Sequence, residues 1–230
     1  MPQPELKFIA GLISPDVLQN AEKNPLGAEM AAIKKCSILE IRYDLFSNKE
    51  EWENLSQRVS ELNPKALRLG TIRLKKDGGV YENEKAAERI ALFAGKNLDW
   101  IDIERGVDLS QAKKLGVKII CSWHLFDRVP NERELDEFAE ECLVLKTEGC
   151  KVAAMAHSKS DSEPLYSFAK RYGKNFELFA AFAMGEEGKE SRLRSLEEGA
   201  NLTYSAIGNA LAPGQYNLIT SASATMLVLP

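Results

Sequence analysis

A rhythm constrains this chain more than any single motif: short apolar runs alternate with amphipathic stretches from one end to the other, with Gly or Pro at the seams. The runs read as strands over 8–13, 38–45, 67–74, 100–104, 118–123, 151–155, 176–184 and 202–207. Strands buried on both faces appear as nearly continuous hydrophobic runs. Eight such units in β-α order, with no linker, low-complexity segment or strong internal repeat, predict a closed parallel (β/α)8 TIM barrel forming a single domain over 1–230. The alternative is a doubly wound open sheet. That fold would carry a glycine-rich dinucleotide turn after its first strand, and Gly11-Leu12-Ile13-Ser14-Pro15 is not one.

Helices are legible by their caps. Ser47 with Glu50 reads as a capping box, after which Trp52, Leu55, Val59 and Leu62 mark one face and Pro64 closes the segment. Pro130 and Asn131 precede a helix whose buried stripe is Leu135, Phe138, Cys142 and Leu145, with Gly149 read as its end. Leu165, Phe168, Ala169 and Tyr172 repeat the pattern before Gly173. Pro25 and Gly27 interrupt the first helix, and the serines, alanines and threonine of 221–225 have poor propensity for the last.

A chain of 230 residues buries about 70 to 75% of its unfolded surface, enough for a core without staples. A net charge of −4 with mixed signs offers no basic stripe for nucleic acid and no polybasic membrane anchor, and suits a small polar or anionic metabolite. Cys36, Cys121, Cys142 and Cys150 form no C-x-x-C pair and sit in apolar surroundings, as free thiols do in a reducing compartment; the expectation is cytoplasmic. No leader pattern is read at the N-terminus, and no apolar run approaches the roughly 18 residues that span a bilayer.

Against this frame the polar residues inside strands stand out. Lys151 follows Gly149-Cys150 in an apolar run, where a core would not place a lysine. If it opens the strand it snorkels to solvent; if it points inward, burial disfavours its ammonium form and frees the amine to attack a carbonyl and form an imine. Period-two alternation aims Glu40, Arg42 and Asp44 to one face, as an internal ion-pair cluster or as ligand contacts. Arg73 stands at the end of its strand before Asp77-Gly78-Gly79, a loop able to approach a ligand. Only two histidines occur. His124 ends a strand, as a general acid or base or a structural residue, whereas His157 reads as a structural or rim residue. Arg192 offers a fork for a planar carboxylate, and Gln215 follows Ala212-Pro213-Gly214. One histidine, one interior lysine and one arginine fork, without a His-x-His or clustered carboxylate set, favour imine chemistry on a carboxylated carbonyl compound over a bound metal.

Taken together these fragments resemble the type I 3-dehydroquinate dehydratases. The resemblance runs in order through Glu40-x-Arg42-x-Asp44, Thr71-x-Arg73, Ser122-x-His124-x-Phe126, Lys151-x-Ala153, Met184-Gly185 with Gly188-x-x-Ser191-Arg192, Thr203 and Ala212-Pro213-Gly214-Gln215, covering most of the chain. It implies a barrel that dehydrates 3-dehydroquinate to 3-dehydroshikimate without metal or cofactor, as a homodimer. It implies that Lys151 condenses with the ring ketone and that His124 removes the neighbouring proton, then helps the hydroxyl leave. It gives Arg192 and Gln215 to the substrate carboxylate and Glu40 and Arg73 to ring hydroxyls. Arg42 is a support, and Met184 and Tyr204 are the apolar wall.

The chain departs from the family pattern in places. Asp77 stands where a glutamate commonly partners the histidine, Leu211 replaces a serine that touches the carboxylate, Leu125 replaces an aspartate, and Phe182 replaces a methionine. The segment before the first strand is short for a hairpin that plugs the barrel floor. Two further readings are open. Another imine-forming lyase, such as a small aldolase, needs a phosphate cradle after the seventh and eighth strands. A binding module that keeps the pocket without catalysis is suggested by Asp77 and Leu211.

Overall fold

The computed structural model describes residues 7–209 and 214–218. The strands, in chain order, are β1 (Phe8–Ile13), β2 (Ile38–Arg42), β3 (Leu67–Thr71), β4 (Trp100–Glu104), β5 (Lys118–Leu125), β6 (Gly149–Met155), β7 (Leu178–Met184), β8 (Leu202–Ala206) and the short β9 (Tyr216–Asn217). Between them run helices α1 (Pro15–Lys23), α2 (Ala28–Ile33), α3 (Trp52–Leu62), α4 (Ala86–Ala91), α5 (Ser110–Lys113), α6 (Glu132–Val144), α7 (Glu163–Tyr172) and α8 (Ser191–Glu197). The expected barrel strands are all present.

All ladders are parallel, in the order β7-β6-β5-β4-β3-β2-β1-β8-β9. The curled sheet is a (β/α)8 barrel, and Asn201 bridges its seam between β7 and β8. Its backbone N–H donates to the Phe179 carbonyl at 3.1 Å, its Oδ1 accepts from the Phe179 N–H at 2.8 Å, and its Nδ2 donates to the Glu177 carbonyl at 2.9 Å. The side-chain amide supplies two of these three bonds, standing in for ladder bonds.

Alternation sorts each strand. On β4, Ile101 and Ile103 pack outward against the helices, while Trp100 joins Ala10, Ile38, Leu69, Ile120, Leu178 and Leu202 in the barrel's apolar interior. Above that interior layer, toward the carboxyl ends of the strands, the inward positions turn polar: Glu40, Thr71, Asp102, Ser122 and Lys151 are all buried. In this architecture that end carries chemistry.

Several local expectations need correction. The Ser47–Glu50 capping box does not form. Asn48 caps instead, accepting from the Glu50 N–H at 2.9 Å and opening a 3₁₀ turn (Lys49–Glu51) that runs into α3. Gly149 does not end a helix: α6 stops at Val144, Lys146 takes the left-handed conformation (φ 53°), and Gly149 begins β6. A Cβ on Gly149 would stand 2.8 Å from Ile120 Cγ1, so it is required by strand packing. The second and third strands end earlier than expected, at Arg42 and Thr71. The interruption at Pro25 and Gly27 separates α1 from α2, and Asn131 and Glu134 make a full capping box on α6. The segment 221–225 and Leu211 lie outside the described residues. Among the described residues no helix is long and apolar enough to cross a membrane.

Candidate active site

At the carboxyl ends of the strands a cavity of about 190 Å³ is lined by Glu40, Arg42, Arg73, Asp77, His124, Lys151, Met184, Arg192, Tyr204 and Gln215. The residues to which the family resemblance gives site roles therefore meet in one space, while Asp44 does not line it. They arrive from β2, β5, β6, β7 and β8, from the segments after β3 and before β9, and from α8.

Lys151 points inward and is only 4% exposed. Its Nζ lies 3.0 Å from Asp102 Oδ2 and 4.0 Å from the centre of the Tyr204 ring. Burial lowers the pKa of this amine, and the opposing attraction of Asp102 does not restore it. Asp102 is itself the hub of the interior. Its Oδ1 accepts from Ser122 Oγ at 2.6 Å and its Oδ2 takes both Lys151 and, at 3.0 Å, Arg73 Nη2. Burial alone would raise its carboxyl, yet the two cations hold it well below the usual carboxylate range.

Arg73 ties this hub to the histidine. Its Nη1 donates to Glu104 Oε1 and, at 3.2 Å, to Ser122 Oγ. The other oxygen of Glu104 lies 3.2 Å from His124 Nδ1, so a continuous chain runs His124, Glu104, Arg73, Asp102, Lys151. Burial, then the charges of Arg73 and Lys151, push His124 well below its ordinary value near 6.5. A neutral imidazole at pH 7 is available as a base.

Asp77, which stands where the family resemblance places a glutamate beside the histidine, lines the cavity, and its Oδ2 is buried without a hydrogen-bond partner among the described residues; the carboxylate beside the imidazole is Glu104. Neither Asp102 nor Glu104 was singled out from the sequence. The signal was present, since Trp100-Ile101-Asp102-Ile103-Glu104 repeats the alternation that drew attention to Glu40, Arg42 and Asp44.

Glu40 accepts from Thr71 Oγ1 at 2.8 Å. Arg42 is bidentate to Asp44, at 2.8 and 2.7 Å, making an internal ion pair beside the cavity. His157 stands apart: it is exposed, with Nε2 2.8 Å from the Asp127 carbonyl.

Across the cavity Arg192 is only 1% exposed. Its Nε donates to the Gly214 carbonyl at 3.1 Å and its guanidinium lies 4.1 Å from the centre of the Phe182 ring. No carboxylate pairs with it among the described residues, and burial pulls its pKa down to about 10. A buried guanidinium without a counter-ion is a site for an anion. Gly214 is held at φ 71°, and a Cβ there would lie 2.2 Å from the Gly185 carbonyl, so the two loops that carry this corner touch backbone to backbone.

Fold and site define a (β/α)8 barrel enzyme that keeps its reactive groups on the strand ends. The Type I 3-dehydroquinase family model matches residues 16–224, and the chain belongs to that family. It is 30% identical over 214 residues to a 3-dehydroquinate dehydratase of Methanococcus maripaludis, covering 88% of this chain and 93% of that one. A 3-dehydroquinate dehydratase of Archaeoglobus fulgidus is 30% identical over 217 residues, covering 93% and 94%. The crystal structure of 3-dehydroquinate dehydratase from Geobacillus kaustophilus superposes with a TM-score of 0.78 over 96% of this chain and 93% of that one; at 20% identity this likeness speaks for the barrel fold.

Proposed function

We propose that this chain dehydrates 3-dehydroquinate to 3-dehydroshikimate through an imine on Lys151. The observation that carries the reading is a buried amine, disfavoured as ammonium, sharing one cavity with a neutral histidine and a guanidinium that has no carboxylate partner among the described residues.

The Lys151 amine adds to the ring ketone, and loss of water leaves a protonated imine that draws electrons from the neighbouring carbon. His124 takes a proton from that carbon, and the imidazolium returns one to the departing hydroxyl. Hydrolysis of the imine releases the product and regenerates the amine. Arg192 with Gln215 receives the carboxylate, Glu40 receives a ring hydroxyl, and Arg73 braces the two carboxylates that flank the chemistry. Met184 and Tyr204 give the ring an apolar wall. The four described cysteines are free and buried, which suits a reducing cytoplasm, and the homodimer is carried over from the family resemblance.

The aldolase reading fits less well. Around the start of α8 the backbone N–H groups of Lys189, Ser191, Arg192, Leu193 and Arg194 all donate to nearby carbonyls, so they make no ring of free amides for a phosphate. A guanidinium on an aromatic face suits a planar carboxylate.

The test is incubation with 3-dehydroquinate followed by borohydride and mass mapping, with enone absorbance followed in parallel. The expected result is an adduct on Lys151 and rising absorbance. Folded protein giving neither would overturn the reading and favour a binding module.

A further inference from the structure

The imidazole of His124 can act as a base toward the cavity only if the proton it already carries sits on Nδ1, leaving the Nε2 lone pair free. What sets that tautomer is the group opposite Nδ1. Besides Asp102, which is taken up by Ser122, Arg73 and Lys151, two acidic side chains are near: Asp77, on the 3₁₀ turn (Lys75–Asp77) before the paired glycines, and Glu104, at the end of β4. Their situations differ. Asp77 Oδ2 is buried without a partner among the described residues, whereas Glu104 Oε2 stands 3.2 Å from Nδ1. Glu104 is fixed by its other oxygen, which accepts from Arg73, and Arg73 is fixed in turn by Asp102, the counter-ion of Lys151.

We propose that Glu104 is the positioning residue for His124: it accepts the Nδ1 proton, presents Nε2 to the substrate, and stabilises the imidazolium formed when Nε2 takes the substrate proton. Asp77 does not hold this role. The inference rests on the proposed dehydration only for its kinetic arm. The charged groups facing the ring are Arg73 and Asp77 after β3, Asp102 and Glu104 on β4, and Lys151 on β6. Of these, Glu104 alone is at hydrogen-bond distance from a ring nitrogen among the described residues.

The geometry makes a specific forecast for Glu104→Gln. Arg73 carries only donors, so the carboxamide oxygen turns to Arg73 and the amide NH₂ faces Nδ1. The ring is driven to the Nε2–H tautomer, and the lone pair points away from the substrate. The same logic makes a carboxylate-to-amide change costly in a Ser-His-Asp triad.

The experiment is ring ¹⁵N NMR of histidine-labelled protein without substrate, with His157→Gln assigning the two histidines. Wild type is expected to be neutral and protonated on Nδ1, Asp77→Asn to keep that tautomer, and Glu104→Gln to switch to Nε2–H. With 3-dehydroquinate, Glu104→Gln is expected to lower kcat roughly 100-fold or more with KM within about threefold, and to retain the borohydride adduct on Lys151. An Nε2–H ring in wild type, a tautomer change in Asp77→Asn, or an unaltered tautomer in Glu104→Gln overturns the assignment. Should Glu104→Gln fail to fold, the wild-type and Asp77→Asn spectra still decide. Absence of turnover in wild type would sink the proposed reaction while leaving the tautomer readings intact.

Discussion

Lys151 Nζ stands 3.0 Å from Asp102 Oδ2, and both side chains are almost entirely withdrawn from solvent. The pair is not self-sufficient, because the same oxygen also serves Arg73. Two cations therefore share one carboxylate, and burial lowers the pKa of Lys151 despite that partner.

Removing the carboxylate takes the counter-ion from Lys151 and one of the two from Arg73, which keeps Glu104. Asp102→Asn is expected to destabilise the fold by about 3 to 5 kcal/mol, the usual cost of breaking a buried pair. Urea unfolding at pH 7.5 measures it, and a loss below about 1 kcal/mol would show that Glu104 suffices for Arg73 and that Lys151 finds another partner.

Lys151→Met is expected to abolish turnover and the borohydride adduct while costing no stability. The lysine's lowered pKa means that its ammonium form is disfavoured by folding, and after substitution Asp102 keeps Arg73 and Ser122. A thermal melt with Tm at or above the wild-type value is the expected outcome; a fall of several degrees would contradict it.

The depressed value of His124 also has a stability sign. In the unfolded chain the ring takes a proton near pH 6.5, whereas the folded ring does so only at lower pH. Its contribution is thus full above pH 6.5 and is lost as pH falls through the folded value. His124→Gln should remove that part of the slope, so unfolding free energies of wild type and variant should draw apart less at pH 5 than at pH 7.5, or cross.

Arg192 should act mainly on substrate binding. Arg192→Lys removes the fork and its seat on Phe182, and KM is expected to rise about 10- to 100-fold, matching roughly 1.5 to 3 kcal/mol for a charge-assisted bond. Phe182→Leu should raise KM by a smaller factor, in line with about 0.5 to 2 kcal/mol for the cation–π contact. Steady-state kinetics with 3-dehydroquinate separate the two, and an Arg192→Lys effect confined to kcat would remove the carboxylate assignment.

Gly79 packs against the strand end it follows. A Cβ there would lie 2.1 Å from the Arg73 carbonyl oxygen, so Gly79→Ala must displace the backbone that carries Arg73. Both lower Tm and lower kcat are expected. Retention of both would mean that the loop relaxes without moving Arg73.

Much of this was legible in one dimension because the barrel is built from local signals. Apolar runs at regular intervals mark buried parallel strands, and β1 and β4 begin and end where the pattern does. Period two sends Lys151 inward once its strand is known, and Pro130 with Asn131 announces α6. Caps and loop glycines were less secure, because Ser47 and Asn48 compete for one role and Gly149 serves strand packing instead of a helix end.

The partnerships were decided by tertiary structure. Arg73, Asp102, Glu104, His124 and Lys151 lie on four different strand ends, and their pairing follows from barrel closure and ladder register, which set Thr71 beside Asp102, Glu104 beside Ser122 and Ser122 beside Lys151. Sequence spacing carries the direction of each side chain but not the distance between side chains on neighbouring strands. For that reason the sequence determined the barrel, its inward-facing lysine and its strand-end histidine. Only the folded arrangement, through register and burial, gave His124 to Glu104 and left Arg192 without a counter-ion among the described residues.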